Sequence, residues 1–355
     1  MRQMLVTENA VGKEIASPIY NRAGEVAFPS ATKVTEEIFA HLREAGYAAI
    51  CVNDPSVGDL RITPFIPEPT LLFAARSLES LITSSRNDPT GTAAAAALAN
   101  LSQAGIQMAH AALEAATDPV LNGLAFLPGM PYEIAHALGT AQFALVLGKG
   151  RCTANDLQYL AQAALLADAS CLIRANNATH PGPMEDVQDK DHVEQSFAFV
   201  QRNGRFSARV AAAIAAHHEH WNGSGYPDGL KGQDIFLNAR LLRVAECYHA
   251  LVSHPTQSVP PHQAIEFIMG FSGEFFDPSL VQPFVREAPI YAKGLTVQLS
   301  TGDIAVITSP NWGHIVRPKV RLVADSQGQR LEHPQDVDLS LAEHQHVLLA
   351  GLSPW

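Results

Sequence analysis

The spacing of apolar residues changes character twice along the chain. Over residues 1–65, short apolar runs alternate with turn signals. VTENAVGKEIASPIYNRAGEVAFPSAT reads as two or three strands with a turn at Asn21–Gly24. Ile38, Phe39 and Leu42 then fall at helical spacing within Thr35–Ala45, and AAICVND returns to a strand pattern. This segment predicts a small α+β module. Residues 66–116 are helical in pattern and rich in Ala and Leu, and Pro128, Gly129 and Pro131 mark a break. From Tyr132 to about Ala288 one amphipathic helix follows another: Ala135–Leu147, Asn155–Leu172 (capped by Thr153 or Asn155), His192–Gln201, Phe206–His220, Asn238–Val252 and His262–Gly270. The polar stretch Asn176–Asp191 predicts a loop. Asn222–Asp234, with four glycines and a proline, predicts an irregular segment. After Pro289, VQLSTGDIAVITSP, GHIVRPKVRLVAD and DVDLS read as strands between turns. The expected chain is mainly α, with a small N-terminal α+β module (1–65), a helical connector (66–130), a helical domain (131–288) and a small C-terminal β domain (289–355).

Composition narrows this picture. The 355 residues suffice for two or three cored domains, and 47% hydrophobic with 17% charged residues predicts a soluble globular protein. A formal net charge of −11 argues against binding a nucleic-acid polymer, which calls for a basic stripe. It leaves room for a small anion held by a metal or a few local cations. Cys51, Cys152, Cys171 and Cys247 form no CxxC pair, so neither a zinc ribbon nor a disulfide framework is expected, and a reducing cytoplasm is the expected home. The N-terminus lacks the apolar region of a signal peptide. Ala93–Ala116 is interrupted by Asn100, Gln103, Gln107, His110 and Glu114, which predicts a bundled helix and not a membrane span.

Candidate chemistry concentrates in HHEHWNGSGYPDGLKGQDIFLNARLLRVAECYHAL. Successive helical residues turn by roughly 100°, so His217 and His218 share a cavity only at a helix end. The glycine-rich stretch after them brings backbone close to whatever that cavity holds. Glu246 and His249, three apart on a helix, share a face. Imidazole and carboxylate groups converging in this way suit a first-row transition metal. Glu246, with Arg240 and Arg243 nearby, has an ion pair as its alternative reading.

The run His217-His218-Glu219, then Gly223-x-Gly225-Tyr226-Pro227-x-Gly229-Leu230-x-Gly232, then Ala239-Arg240 and a helix carrying an acid, resembles the HD-GYP family. The resemblance implies an HD-type helical bundle, a divalent transition metal cofactor (iron or manganese), and cyclic di-GMP or a related small phosphoester as ligand. It implies one metal held by Asp168, His192, His217 and His218, with Asp168 also catalytic. It implies a second held by His136, both members of an HD pair, and a final acid. Here the pair reads Ala167-Asp168, Cys171 stands where the family has a lysine, Glu246 replaces an aspartate, and His249 replaces the next acid. His249 is a candidate to repair the second site. Gly225, Tyr226, Pro227 and Arg240 are candidates for ligand binding. These departures imply one intact metal position, a second that is partly lost, and weak or absent catalysis. The alternative is an active metal-dependent phosphodiesterase. A protein partner at the Gly-Tyr-Pro loop is a further expectation. Residues 66–130 are expected to serve as an effector or dimerisation element, the latter giving a homodimer.

Overall fold

A computed structural model describes residues 1–21, 25–87, 92–115, 121, 130–173, 190–202, 205–254, 256–288, 290–311, 314 and 316–355. It divides the chain into two compact units. Met1–Phe65 and Pro289–Trp355 fall in one, and Ile66–Ala115 and Met130–Ala288 in the other. Residues 66–115 are thus part of the helical unit, and the two chain ends build a unit together.

In the terminal unit, β1 (Arg2–Leu5) pairs antiparallel with β4 (Ala49–Val52), and β2 (Ile19–Tyr20) with β3 (Val26–Phe28). Between them lies α1 (Glu36–Glu44), whose first turn is capped by the Thr35 side chain accepting from the Ile38 amide. Residues 22–24 of the expected Asn21–Gly24 turn lie outside the described residues. The C-terminal segment forms a five-stranded antiparallel sheet in the order β8-β7-β6-β5-β9. Its strands are β5 (Thr296–Leu299), β6 (Ile304–Ser309), β7 (Lys319–Ala324), β8 (Arg330–Asp338) and β9 (Leu349–Leu352). Alternate residues of β6 face opposite sides of the sheet. Ala305 and Ile307 pack with Val297, Leu299 and Val320, while Ile304 and Val306 pack with Val57 and Leu60 from the N-terminal segment. The Ile304 and Val306 face of β6 is what joins the C-terminal sheet to the N-terminal segment. Strand β9 escaped the sequence pattern because its residues, Leu-Ala-Gly-Leu, show no alternation of apolar and polar positions, and Leu352 is largely exposed.

The helical unit comprises α2 (Glu68–Asn87), α3 (Thr92–Glu114), α4 (Tyr132–Gly148), α5 (Ala154–Leu166), α6 (Ala169–Ile173), α7 (Asp191–Arg202), α8 (Ala208–Ala215), α9 (Leu237–Ser253), α10 (Pro261–Gly270) and α11 (Pro278–Glu287). The Ala-rich α3 buries Ala94, Ala97, Leu98, Leu101, Ala104, Met108, Ala109 and Ala112 along one stripe, as a bundled helix does. Among the described residues no helix is long and apolar enough to cross a membrane. Helices α4 and α9 are buried on almost every side and pack against each other.

Two expected helices are shorter than their patterns. Asn155–Leu172 is broken at Ala167–Asp168, which separates α5 from α6. Phe206–His220 stops at Ala215, where Ala216 leaves helical dihedrals at φ −112° and ψ 11°. Both breaks fall on candidate ligands, and each frees a side chain from the helical stripe. Most of the expected loop Asn176–Asp191 lies outside the described residues.

Candidate metal centre

Three segments of the helical unit deliver four side chains to one spot. Asp168 comes from the α5–α6 break, His192 from the first turn of α7, and His217 and His218 from the turn after α8. One candidate ligand atom from each lies within 4.8 Å of all the others, and all three imidazoles are buried. Asp168 Oδ1 is 3.5 Å from His192 Nε2 and 3.8 Å from His217 Nε2. A first-row ion with bonds of roughly 2.0–2.2 Å holds neighbouring ligands about 3.0–3.5 Å apart, so the spacing fits a shared cation better than direct hydrogen bonds.

The tautomer of His217 is fixed from outside the cluster. Its Nδ1 lies 2.6 Å from the Ile214 carbonyl and donates to it. In the neutral ring the buried Nε2 then carries the lone pair, 3.8 Å from Asp168 Oδ1. A carbonyl behind one ring nitrogen is the usual means of presenting the other to a metal. Burial opposes protonation of this ring. The Asp168 carboxylate, Glu246 and the Ile214 carbonyl outweigh that and raise the His217 pKa above its ordinary value. His192 is fixed through its backbone, because the Ser170 hydroxyl donates to the His192 carbonyl at 3.0 Å. Ser196 donates to Ser170 Oγ and accepts from its amide, which ties α6 to α7.

The glycine-rich stretch is held over this cluster. The buried Glu219 carboxylate accepts from the amides of Asp228 at 2.7 Å and Leu230 at 2.9 Å. A Cβ at Gly225 would sit 2.2 Å from the His220 amide nitrogen and 2.5 Å from the His218 carbonyl, so only glycine allows this approach. Tyr226 stacks on His218 with centroids 4.9 Å apart and planes 9° apart. Lys190 Nζ lies 5.4 Å from the Tyr226 ring centre.

The remaining candidates are arranged differently. Among the described residues the metal-type cluster holds only Asp168, His192, His217 and His218. His136, in α4, is buried with Nδ1 3.1 Å from Nδ1 of His249, which also meets the Ser253 hydroxyl at 3.0 Å. Glu246 is paired with Arg243 one turn away, Nη1 to Oε2 at 3.2 Å, with both side chains buried. Arg240 is paired with Asp277 at 2.6 Å, and Asp277 caps α11. Cys171 is a buried thiol in α6. Two features escaped the motif reading. Glu219 belongs to the matched run, but its role as the loop's acceptor is visible only in the fold. Arg243 was noticed only as a neighbour of Glu246, although its spacing of three residues was the available signal.

Residues 150–280 match the HD domain model, and residues 296–348 match the model described as a KOW domain associated with HD domain. The chain carries an HD domain. The chain is 31% identical over 157 residues to a 3'3'-cGAMP-specific phosphodiesterase 2 of Vibrio cholerae, covering 42% of this chain and 28% of that protein. It is 30% identical over 167 residues to the cyclic di-GMP phosphodiesterase PA4108 of Pseudomonas aeruginosa, covering 46% of this chain and 40% of that protein. The chain therefore spans well under half the length of these curated relatives. The solved structure of Bd1817, an HDG"Y"P protein from Bdellovibrio bacteriovorus, superposes with a TM-score of 0.48 at 15% identity, covering 79% of this chain and 97% of that one.

Proposed function

We propose that this HD domain binds a cyclic dinucleotide in a metal-dependent way and hydrolyses it slowly or not at all. One observation carries the reading: Asp168, His192, His217 and His218 converge on one buried spot. Iron or manganese suits that donor set. Such an ion supplies Lewis acidity toward a phosphoryl oxygen. The chain's own residues then position the ligand. Gly225, Tyr226 and Pro227 form the lip over the cluster, held down by Glu219. Lys190 offers an exposed cation beside Tyr226. Arg240 acts as scaffold through Asp277.

The proposal of weak turnover rests on three positions. Ala167 offers no imidazole where the family pair has one, Cys171 offers a neutral thiol where the family has a lysine, and Glu246 is engaged by Arg243. Two metals clamp both the attacking and the leaving oxygen of a phosphoester, whereas a single cation stabilises less of the developing charge. The relatives named for cyclic di-GMP and 3'3'-cGAMP set the ligands to be tried.

The test pairs calorimetry with product analysis on Mn²⁺- or Fe²⁺-loaded protein and these two dinucleotides. Binding that disappears with chelator and in His217→Ala, with little linear product, is expected. Robust metal-dependent turnover abolished by His217→Ala would replace this reading with the active phosphodiesterase. Absence of binding to either dinucleotide would overturn both.

A further inference from the structure

Arg243 is almost fully buried in α9, and its guanidinium faces the centre of the site. Nη1 is 3.2 Å from Glu246 Oε2 and 3.2 Å from His218 Nδ1, and Nη2 is 3.1 Å from His220 Nε2. One fixed cation therefore bridges Glu246 and His218, a member of the four-residue cluster. From this we infer that the Arg243 guanidinium takes the place of a second metal ion, neutralising Glu246, holding His218, and limiting the site to one divalent cation. The inference rests on the metal-site reading above.

The chemistry follows from what a guanidinium can do. It is always charged and only donates. His218 Nδ1 must therefore accept, which leaves the proton of a neutral His218 on Nε2. That is the reverse of His217, whose Nδ1 donates to Ile214 and whose Nε2 carries the lone pair. A histidine binding metal through Nε2 normally backs onto an acceptor. His218 backs onto a donor, so Arg243 and a metal compete for it. At Glu246 the competition is electrostatic. A carboxylate already paired with a buried guanidinium binds a divalent ion only beside a like charge, in a setting where screening is weak. The third partner, His220, is set by Ser224 at 3.0 Å and stacks on Phe275 with centroids 4.3 Å apart, so the fork of Arg243 is braced from both sides.

The test counts and titrates Mn²⁺ on the full chain by elemental analysis and calorimetry, without reference to turnover. The wild type should hold one ion per chain, and Glu246→Gln should still hold one. Arg243→Met, which keeps the apolar stem and removes the charge, should bind Mn²⁺ at least ten-fold more tightly. Two ions on the wild type, loss of an ion in Glu246→Gln, or unchanged or weaker affinity in a natively folded Arg243→Met would each overturn the inference and leave the metal-site reading standing. If Arg243→Met does not fold, the ion counts of the wild type and Glu246→Gln decide. No ion on the wild type or on any folded variant would overturn both.

Discussion

The imidazole of His249 fills the space that a side chain on Gly139 would need. A Cβ built at Gly139 would lie 2.0 Å from His249 Nε2 and 2.1 Å from Cδ2. Residue 139 is in α4 and residue 249 in α9, so two deeply buried helices meet here by placing a ring against bare backbone. The same ring reaches His136 and Ser253 through Nδ1. Its Nε2 thus faces α4, and its other nitrogen is shared with a neighbouring histidine and a hydroxyl.

Gly139→Ala should therefore separate α4 from α9 or expel the ring. Overpacking of a close-packed core costs about 1–3 kcal/mol, read as a lower urea midpoint. His249→Ala in the same chain should restore most of that loss, because the cavity it opens receives the new methyl. Equal losses in the single and double variants would show that the contact does not matter.

Much of this unit was legible in the sequence because helical periodicity is a local signal. The stripe of α3, the Thr153 cap of α5 and the helical stretch around Glu246 all follow from spacing a few residues apart. The candidate cluster was legible only through motif resemblance, since residues 168, 192, 217 and 218 come from three segments that periodicity cannot relate. Spacing also read straight through the breaks after Leu166 and Ala215, because alanine suits a helix and nothing local stops it. The reach of Arg243 toward His218 and His220 depends on how α9 lies against the turn after α8, and no sequence pattern states that. The joining of both chain ends in one core is equally non-local, resting on pairs such as Gln3 with Leu295.

Metal should stabilise the helical unit through His217. A ligand that binds only the folded state, at 100 times its dissociation constant, adds about 2.7 kcal/mol, or roughly 5–10 °C in melting temperature for a domain of this size. Chelation should remove that increment from the wild type. His217→Ala should melt at the same temperature with and without Mn²⁺. A metal-induced rise that survives in His217→Ala would place the ion elsewhere.

Glu219 should matter more for the loop than for the ion. Its two oxygens accept separate backbone amides, those of Asp228 and Leu230, from a buried position. Leaving a buried donor without its acceptor costs about 1–3 kcal/mol each. Glu219→Ala should therefore lose roughly 2–4 kcal/mol of stability while keeping its ion, and dinucleotide affinity should fall as the Tyr226 lip loosens. Glu219→Gln keeps one carbonyl acceptor and should fall between the two. Limited proteolysis within residues 222–232 is the direct measurement, and unchanged cleavage in Glu219→Ala would remove the carboxylate from this role.

The terminal unit carries its own test in Asp54. Its carboxylate receives Arg2 Nε at 2.8 Å and Arg330 Nη1 at 2.8 Å, with Arg2 fully buried. Arg2 also donates to Thr296 Oγ1 and to the Trp355 carbonyl, so this cluster binds the first strand to the C-terminal sheet. Burial works against ionisation of Asp54, but Arg330, Arg2 and the Ser56 amide outweigh it and hold the carboxyl far below the usual range. A carboxylate with a depressed folded-state pKa contributes stability that is present above its unfolded value, about 3.9, and lost as pH falls toward the folded one. Asp54→Asn leaves the Arg2 charge buried without its counter-ion and should cost about 3–5 kcal/mol at pH 7. Below about pH 4 the gap between wild type and variant should narrow steadily, because the unfolded wild type takes up a proton at Asp54 that the folded state excludes. Urea denaturation of both proteins between pH 7 and pH 2 measures this directly, and a gap that stayed constant across that range would mean that Asp54 acts through packing and not through its charge.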